Sequence, residues 1–219
     1  SGWRHDSAGV KAMRATLRRI TLVVWIGVAP VALSEDLASV IHASFSDSGQ
    51  ATLLRLEQDP LQKQCSQTRD ERVDDDIAMA LRQERLNAVV FPEDGDFLGD
   101  WQRGAAVAAS GRGLQSNDDP SIANGGNCYA CHQLAPTEVA YGTLGPSLTQ
   151  YGLRGQSDVM LRYTWTKLWD THAFNLCSHM PRFGAQKILT EQQLKDVMAF
   201  LLDPNSSVNQ PTEGPSSSY

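Results

Sequence analysis

Leu37, Val40, Ile41 and Phe45 recur at helical intervals with polar residues between them, so the pattern predicts that residues 35–60 are helical, opened by Ser34 or Asp36. Val73, Ile77 and Leu81 form a second stripe, four residues apart, ringed by Asp74, Asp75, Asp76, Arg82 and Glu84. It predicts a helix within 67–90. Phe91-Pro92-Glu93-Asp94-Gly95-Asp96 is rich in helix breakers and reads as a linker. Asp100 opens an alanine-rich helix that ends near Gly111-Arg112-Gly113, and Ser157-Asp158 opens another. Thr190 with Gln193 three positions later forms a capping box, followed by Leu194, Val197, Met198, Leu201 and Leu202 on one face and Phe200 beside it. From Asp203 to Tyr219 Pro, Ser, Asn and Gly dominate, which predicts a mobile or surface-draped tail. The chain has no internal repeat and no alternating β-branched run long enough to argue for a sheet. The expected fold class is all-α.

The amino-terminal pattern is of another kind. Arg14, Arg18 and Arg19 precede an apolar run from Ile20 to Leu33, and Ala32-Leu33-Ser34 supplies small residues after it. Met13 to Ser34 therefore reads as a secretory signal, which implies a periplasmic, exported chain. The run is shorter than the roughly 20 residues of a membrane span, so no permanent span is expected. Residues 1–12 precede Met13, which reads as a start methionine, and are left out of the fold. The expected domains are 1–34 (upstream residues and signal), 35–95 (a helical amino-terminal extension), 96–204 (one domain) and 205–219 (a flexible tail).

Charge narrows the partners. The full chain carries 19 basic and 25 acidic residues, and residues 1–34 hold five of the basic ones and one of the acidic. The remainder has 14 basic and 24 acidic residues, a formal charge of −10. So acidic a chain is not expected to bind nucleic acid, whereas a basic protein surface is attracted to it.

Candidate chemistry concentrates in Cys128-Tyr129-Ala130-Cys131-His132. This is Cys-x-x-Cys-His, the attachment sequence of a c-type haem. In a helical turn the residues at positions three and four after Cys128 share its face. Two thiols then meet the two vinyl groups of one haem while the imidazole reaches the iron. A thioredoxin-like dithiol wants an α/β setting, which is missing. A zinc site wants further ligands nearby, and Cys65 and Cys177 are distant and unclustered. One haem c, covalently attached through Cys128 and Cys131 and ligated by His132, is the expected cofactor.

A second iron ligand is expected far along the chain. Met180 lies 48 residues beyond His132, in Cys177-Ser178-His179-Met180-Pro181-Arg182-Phe183-Gly184. Pro181 biases Met180 away from helix and places it on a loop. His179 is the rival, and His172 a weaker one. The segment resembles the Met-Pro-x-Phe-Gly loop of class I cytochromes c. In those proteins the haem imidazole donates to the carbonyl of a proline in Gly-Pro-x-Leu, and Pro146 matches that position. The pairing of an early helix carrying Gly104 with a late one carrying Phe200 also resembles theirs. The expected fold is thus a class I cytochrome c-like haem domain behind a helical extension.

The likeness narrows further over residues 100–208. Ala140-Tyr141-Gly142-Thr143-Leu144-Gly145-Pro146-Ser147-Leu148, Tyr151-Gly152-Leu153-Arg154-Gly155 and His172-Ala173-Phe174-Asn175-Leu176-Cys177-Ser178-His179-Met180-Pro181-Arg182-Phe183-Gly184 resemble the SoxX family, the monohaem subunits of the bacterial sulfur-oxidation complex SoxAX. That resemblance implies a heterodimer with a SoxA-like dihaem or monohaem cytochrome. The complex is an L-cysteine S-thiosulfotransferase, which joins thiosulfate oxidatively to a cysteine of the carrier SoxY. A SoxX-like chain has no catalytic residue. It takes up the electrons one at a time and passes them to a soluble cytochrome c. Two other readings stand beside it: a free monohaem shuttle, which needs no extension, and a catalytic or gas-binding haem protein, which needs a displaceable sixth ligand.

Cys65 and Cys177 are an even pair in an exported chain, and a disulfide is the default. It would tie the extension to the Met180 loop. Closing 112 positions nominally gives roughly 4–5 kcal/mol in the chain-entropy model, less once a haem cross-link restrains the same loop. A redox-active or iron-ligating Cys177 is the alternative. Tyr163, Trp165 and Trp169, flanked by Arg154 and Arg182, either wall the haem with an arginine on a propionate or form an ordinary helix core.

Overall fold

The computed structural model describes residues 37–68 and 73–211. The signal expected at 13–34 and residues 212–219 of the expected tail lie outside the described residues. Six helices are described: α1 (Leu37–Ser44), α2 (Pro60–Thr68), α3 (Asp75–Asn87), α4 (Trp101–Ala109), α5 (Asp158–Trp169) and α6 (Glu191–Leu202). No strand ladder occurs among the described residues.

Local sequence explains where the helices start. The Asp74 carboxylate accepts from the amides of Asp76 and Ile77 at the head of α3, where Asp75 and Asp76 also favour the positive end of the helix. Asp100 accepts from Arg103 N at 2.8 Å and starts α4. Ser157 caps α5, and Thr190 with Gln193 forms both bonds of a capping box on α6.

The core is built on α6, whose residues from Leu194 to Leu202 are all buried. Helix α4 crosses it at Gly104, where an added Cβ would lie 2.0 Å from the Asp196 carbonyl oxygen and 2.8 Å from Phe200 Cβ. Only a residue without a side chain allows the helices this near. A polar clasp holds the crossing. The buried Asp196 carboxylate accepts from Asp100 N at 2.8 Å and from Arg103 Nε and Nη2, both at 2.9 Å. Burial pushes the Asp196 carboxyl up, but the Arg103 guanidinium, Asp100 N–H and Gln192 outweigh it and leave it below the ordinary value. Trp165 of α5 is fully buried beside Phe97, and its indole N–H donates to Val90 O at 2.8 Å.

The structure corrects several expectations. Helix does not run through 35–60. It stops at Ser44, and Gly49 turns the chain with φ +51 where Ser48 and Ala51 pair. Asp47 then accepts from Leu53 N, opening a short 3₁₀ turn at Leu53–Leu56, and α2 follows. In α3 the buried residue is Ala78, while Ile77 of the expected stripe is exposed. Leu61, Ala78 and Leu176 form a second core, joined by Val73 and Leu81. Residues 205–211 are not a loose tail. The last carbonyls of a helix lack intrahelical partners, and this segment supplies them: Ser206 Oγ donates to Phe200 O, and Asn209 Nδ2 donates to Leu201 O and Asp203 O. Val208 is completely buried as a result.

Candidate haem site

The end of α4 delivers the motif. Gly125 N donates to Arg112 O, Gly126 N to Val107 O and Asn127 N to Ser110 O, which lays 125–127 back along the helix exit. Asn127 adopts φ +48, a left-handed conformation that asparagine tolerates. The chain then enters a 3₁₀ turn at Cys128–Ala130. Cys131 N and His132 N both donate to Cys128 O, at 3.1 and 2.9 Å. Cys128, Cys131 and His132 therefore lie on consecutive steps of one tight turn. Burial, with the neighbouring Cys131 adding, pushes the Cys128 thiol up to about 12.

A second loop runs along this turn. Gly142 N donates to Tyr129 O, Gly145 N to Cys131 O and Leu148 N to Gln133 O. Gly145 is the seat of the imidazole: an added Cβ would lie 2.2 Å from His132 Cε1, 2.5 Å from Nδ1 and 2.7 Å from Nε2. Beside it, His132 Nδ1 lies 2.6 Å from Pro146 O. A carbonyl only accepts, so Nδ1 carries the proton and Nε2 keeps its lone pair. A histidine ligating through Nε2 needs this tautomer, with its other nitrogen held by an acceptor. Two thiols, a lone pair at a fixed nitrogen and a side-chain-free seat for the ring together fit a c-type haem.

Met180 sits in the loop between α5 and α6. Asp170 accepts from His172 N at 3.0 Å and starts a 3₁₀ turn at Thr171–Ala173. The buried His172 ring donates from Nε2 to Ser178 O at 3.0 Å, and Ser178 Oγ accepts from Met180 N at 3.1 Å. Downstream, Gly184 N and Ala185 N donate to Trp169 O. Half-buried Met180 packs against the main core, and so do Cys128, Leu148 and Trp169. His179 is exposed, and the Nε2 of His172 is already engaged.

Cys65 and Cys177 are joined by a disulfide. Arg182 is buried and pairs with Asp59 at 2.7 Å, so it is not free for a propionate. Arg154 is exposed and stacks on Tyr151. Trp165 belongs to the helix core, while Trp169 is half-buried. Sequence reasoning missed Gly145 as the imidazole seat, although it stands next to the singled-out Pro146. It also missed Asp59, whose only trace was its Asp-x-x-Gln spacing with Gln62.

Residues 121–203 match the cytochrome c family. An "Uncharacterized lipoprotein" of Aquifex aeolicus (strain VF5) is 35% identical over 156 residues, covering 69% of this chain and 73% of that protein. The crystal structure of SoxXA from P. pantotrophus aligns with 54% of this chain and 95% of its own at 22% identity. Its TM-score of 0.37 is too low for a comparison of site geometry. Among the described residues no helix is long and apolar enough to cross a membrane.

Proposed function

Because residues 121–203 match the cytochrome c family and the described residues form an all-α, class I cytochrome c-like domain, we propose that this chain is the electron-transfer subunit of a SoxAX-like complex. The observation that carries the electron-transfer reading is the His132 seat: Nδ1–H on Pro146 O, the ring on Gly145, directly after the two cysteines. Cys128 and Cys131 would hold the haem covalently, and His132 and Met180 would supply a nitrogen and a sulfur to its iron. The bound haem supplies storage of one electron.

The chain's residues do the rest. His132 presents a fixed lone pair, and Pro146 makes that nitrogen more basic by accepting the proton on the other. Met180 offers a thioether, which favours the reduced state relative to a second imidazole. His132 and Met180 are both half-buried, and Met180 packs against the core. No side chain of this chain acts on sulfur substrate. Electrons come from a SoxA-like partner as thiosulfate is coupled to a carrier cysteine of the SoxY kind, and they leave to a soluble cytochrome c. The SoxX-like sequence blocks support that partner and that chemistry, and the signal-like run at 13–34 supports a periplasmic site.

Reductive titration of the exported protein tests the electron count: one electron per chain is expected, and none or two overturns it. Co-purification from the native periplasm tests the partner. A stable complex with a second c-type cytochrome is expected, and isolation as a lone monomer favours the free shuttle.

A further inference from the structure

The amino-terminal extension meets the loop carrying Met180 on both sides of that residue. Three positions before it, Cys177 is bonded to Cys65 of α2. Two positions after it, the buried Arg182 guanidinium reaches Asp59 at 2.7 Å. Both tethers run to one helix. Asp59 opens α2, accepting from Gln62 N at 2.8 Å while Gln62 Oε1 accepts from Asp59 N at 2.9 Å. Cys65 lies about one and two-thirds turns on. The helix is itself fixed, because Leu61 is buried against Ala78 and Leu176.

Leu176 packs on α2, but what backs Met180 itself on this side is open space. A cavity of about 290 Å³ lies between α2 and the loop, and Met180, the disulfide, Gln58 and Gln62 line it. Met180 thus touches the core on one side and a cavity on the other. Packing restrains a side chain only where atoms oppose it. On the cavity side the loop's position is set by its two tethers together with Leu176 packed on Leu61 and Ala78.

We propose that Asp59 and the Cys65–Cys177 bridge are positioning elements for Met180, so that the extension serves as a brace that keeps the thioether on the iron. The proposal rests on Met180 being the sixth ligand. A loop tethered at both ends opens rarely. Freed at either end, it opens more often, and an outside ligand competes better for the iron.

Imidazole binding to the ferric, haem-loaded full chain reads this directly. Asp59→Asn keeps the oxygen that caps α2 and removes the charge facing Arg182. Its imidazole affinity rises several-fold, and that of the Cys65→Ser/Cys177→Ser variant rises about tenfold, the scale set by about 1.4 kcal/mol of lost restraint. The absorption of the ferric thioether-ligated haem weakens in parallel, while helix content stays at the parent's value. If the double serine variant does not fold, the folded parent is reduced, its thiols are blocked with iodoacetamide and its iron is reoxidised with ferricyanide before the titration. Affinities within twofold of the parent in both tether variants overturn the brace. Met180→Ala separates the two ideas. An unchanged ferric spectrum in that variant removes the ligand assignment and the brace together. A changed spectrum with unmoved affinities in the tether variants removes the brace alone.

Discussion

Replacing Gly145 by alanine perturbs the site at its most constrained point. The new Cβ would fall 2.2 Å from His132 Cε1 and 2.5 Å from Nδ1, against the roughly 3.5–4.0 Å of a relaxed carbon contact. Ring and loop must separate by more than about 1 Å. The 2.6 Å bond from His132 Nδ1–H to Pro146 O does not survive such a shift. Its loss costs about 1 kcal/mol, and the overpacking a further 1–3 kcal/mol or so, for a total of about 2–4 kcal/mol. Urea unfolding of the haem-loaded protein, followed by tryptophan fluorescence, measures this as a lower midpoint at unchanged slope. The reduction potential rises too, because an imidazole without its acceptor is less basic and supports the ferric iron less. Gly111→Ala is the control for an added methyl alone: its φ is not left-handed and nothing lies closer than 3.4 Å to the added carbon. A Gly145→Ala protein within about 0.5 kcal/mol of the parent and at the parent's potential would refute the seating argument.

Gly104→Ala meets backbone rather than a ring, with the Asp196 carbonyl oxygen 2.0 Å away, and is expected to cost about 2–4 kcal/mol by forcing α4 and α6 apart; calorimetry reads it, and an unchanged transition contradicts the crossing. Acid tests the buried carboxylates. Burial opposes ionisation of Asp59, but Gln62 N–H and the Arg182 charge outweigh it, so both Asp59 and Asp196 lie below their ordinary 3.8 when folded. Their contribution is complete above that value and is lost as pH falls through the folded-state values. Stability should therefore hold down to about pH 4 and drop below it, less steeply in Asp196→Asn; equal acid slopes in the two proteins count against the clasp. Ending the chain after Pro204 removes Ser206, Val208 and Asn209 from the end of α6 and should cost about 2–5 kcal/mol by urea midpoint; a loss below about 0.5 kcal/mol would restore the loose-tail reading.

Legibility in the sequence followed how local each cause is. The starts of α4, α5 and α6 were readable because Asp100, Ser157 and Thr190 each bond to the amide three positions on. The α4–α6 crossing was readable from Gly104 and Phe200 because a missing side chain is itself a sequence feature. The extension was less so. A hydrophobic period gives the presence of a face but not which residue sits at its centre, and tertiary contact chose Ala78 over Ile77. The tail misled because Ser206 and Asn209 have the composition of a loop, and their role is set by carbonyls at 200, 201 and 203. Asp59 and Arg182 are 123 positions apart, and no local pattern announces such a pair.

Acid–acetone extraction of the exported protein, with a Cys128→Ala/Cys131→Ala variant beside it, tests most directly whether this chain carries a covalently held haem. The pigment of the parent should stay with the polypeptide at one haem per chain, and any pigment on the variant should pass into the solvent. A colourless parent, or one whose pigment extracts freely, contradicts the account.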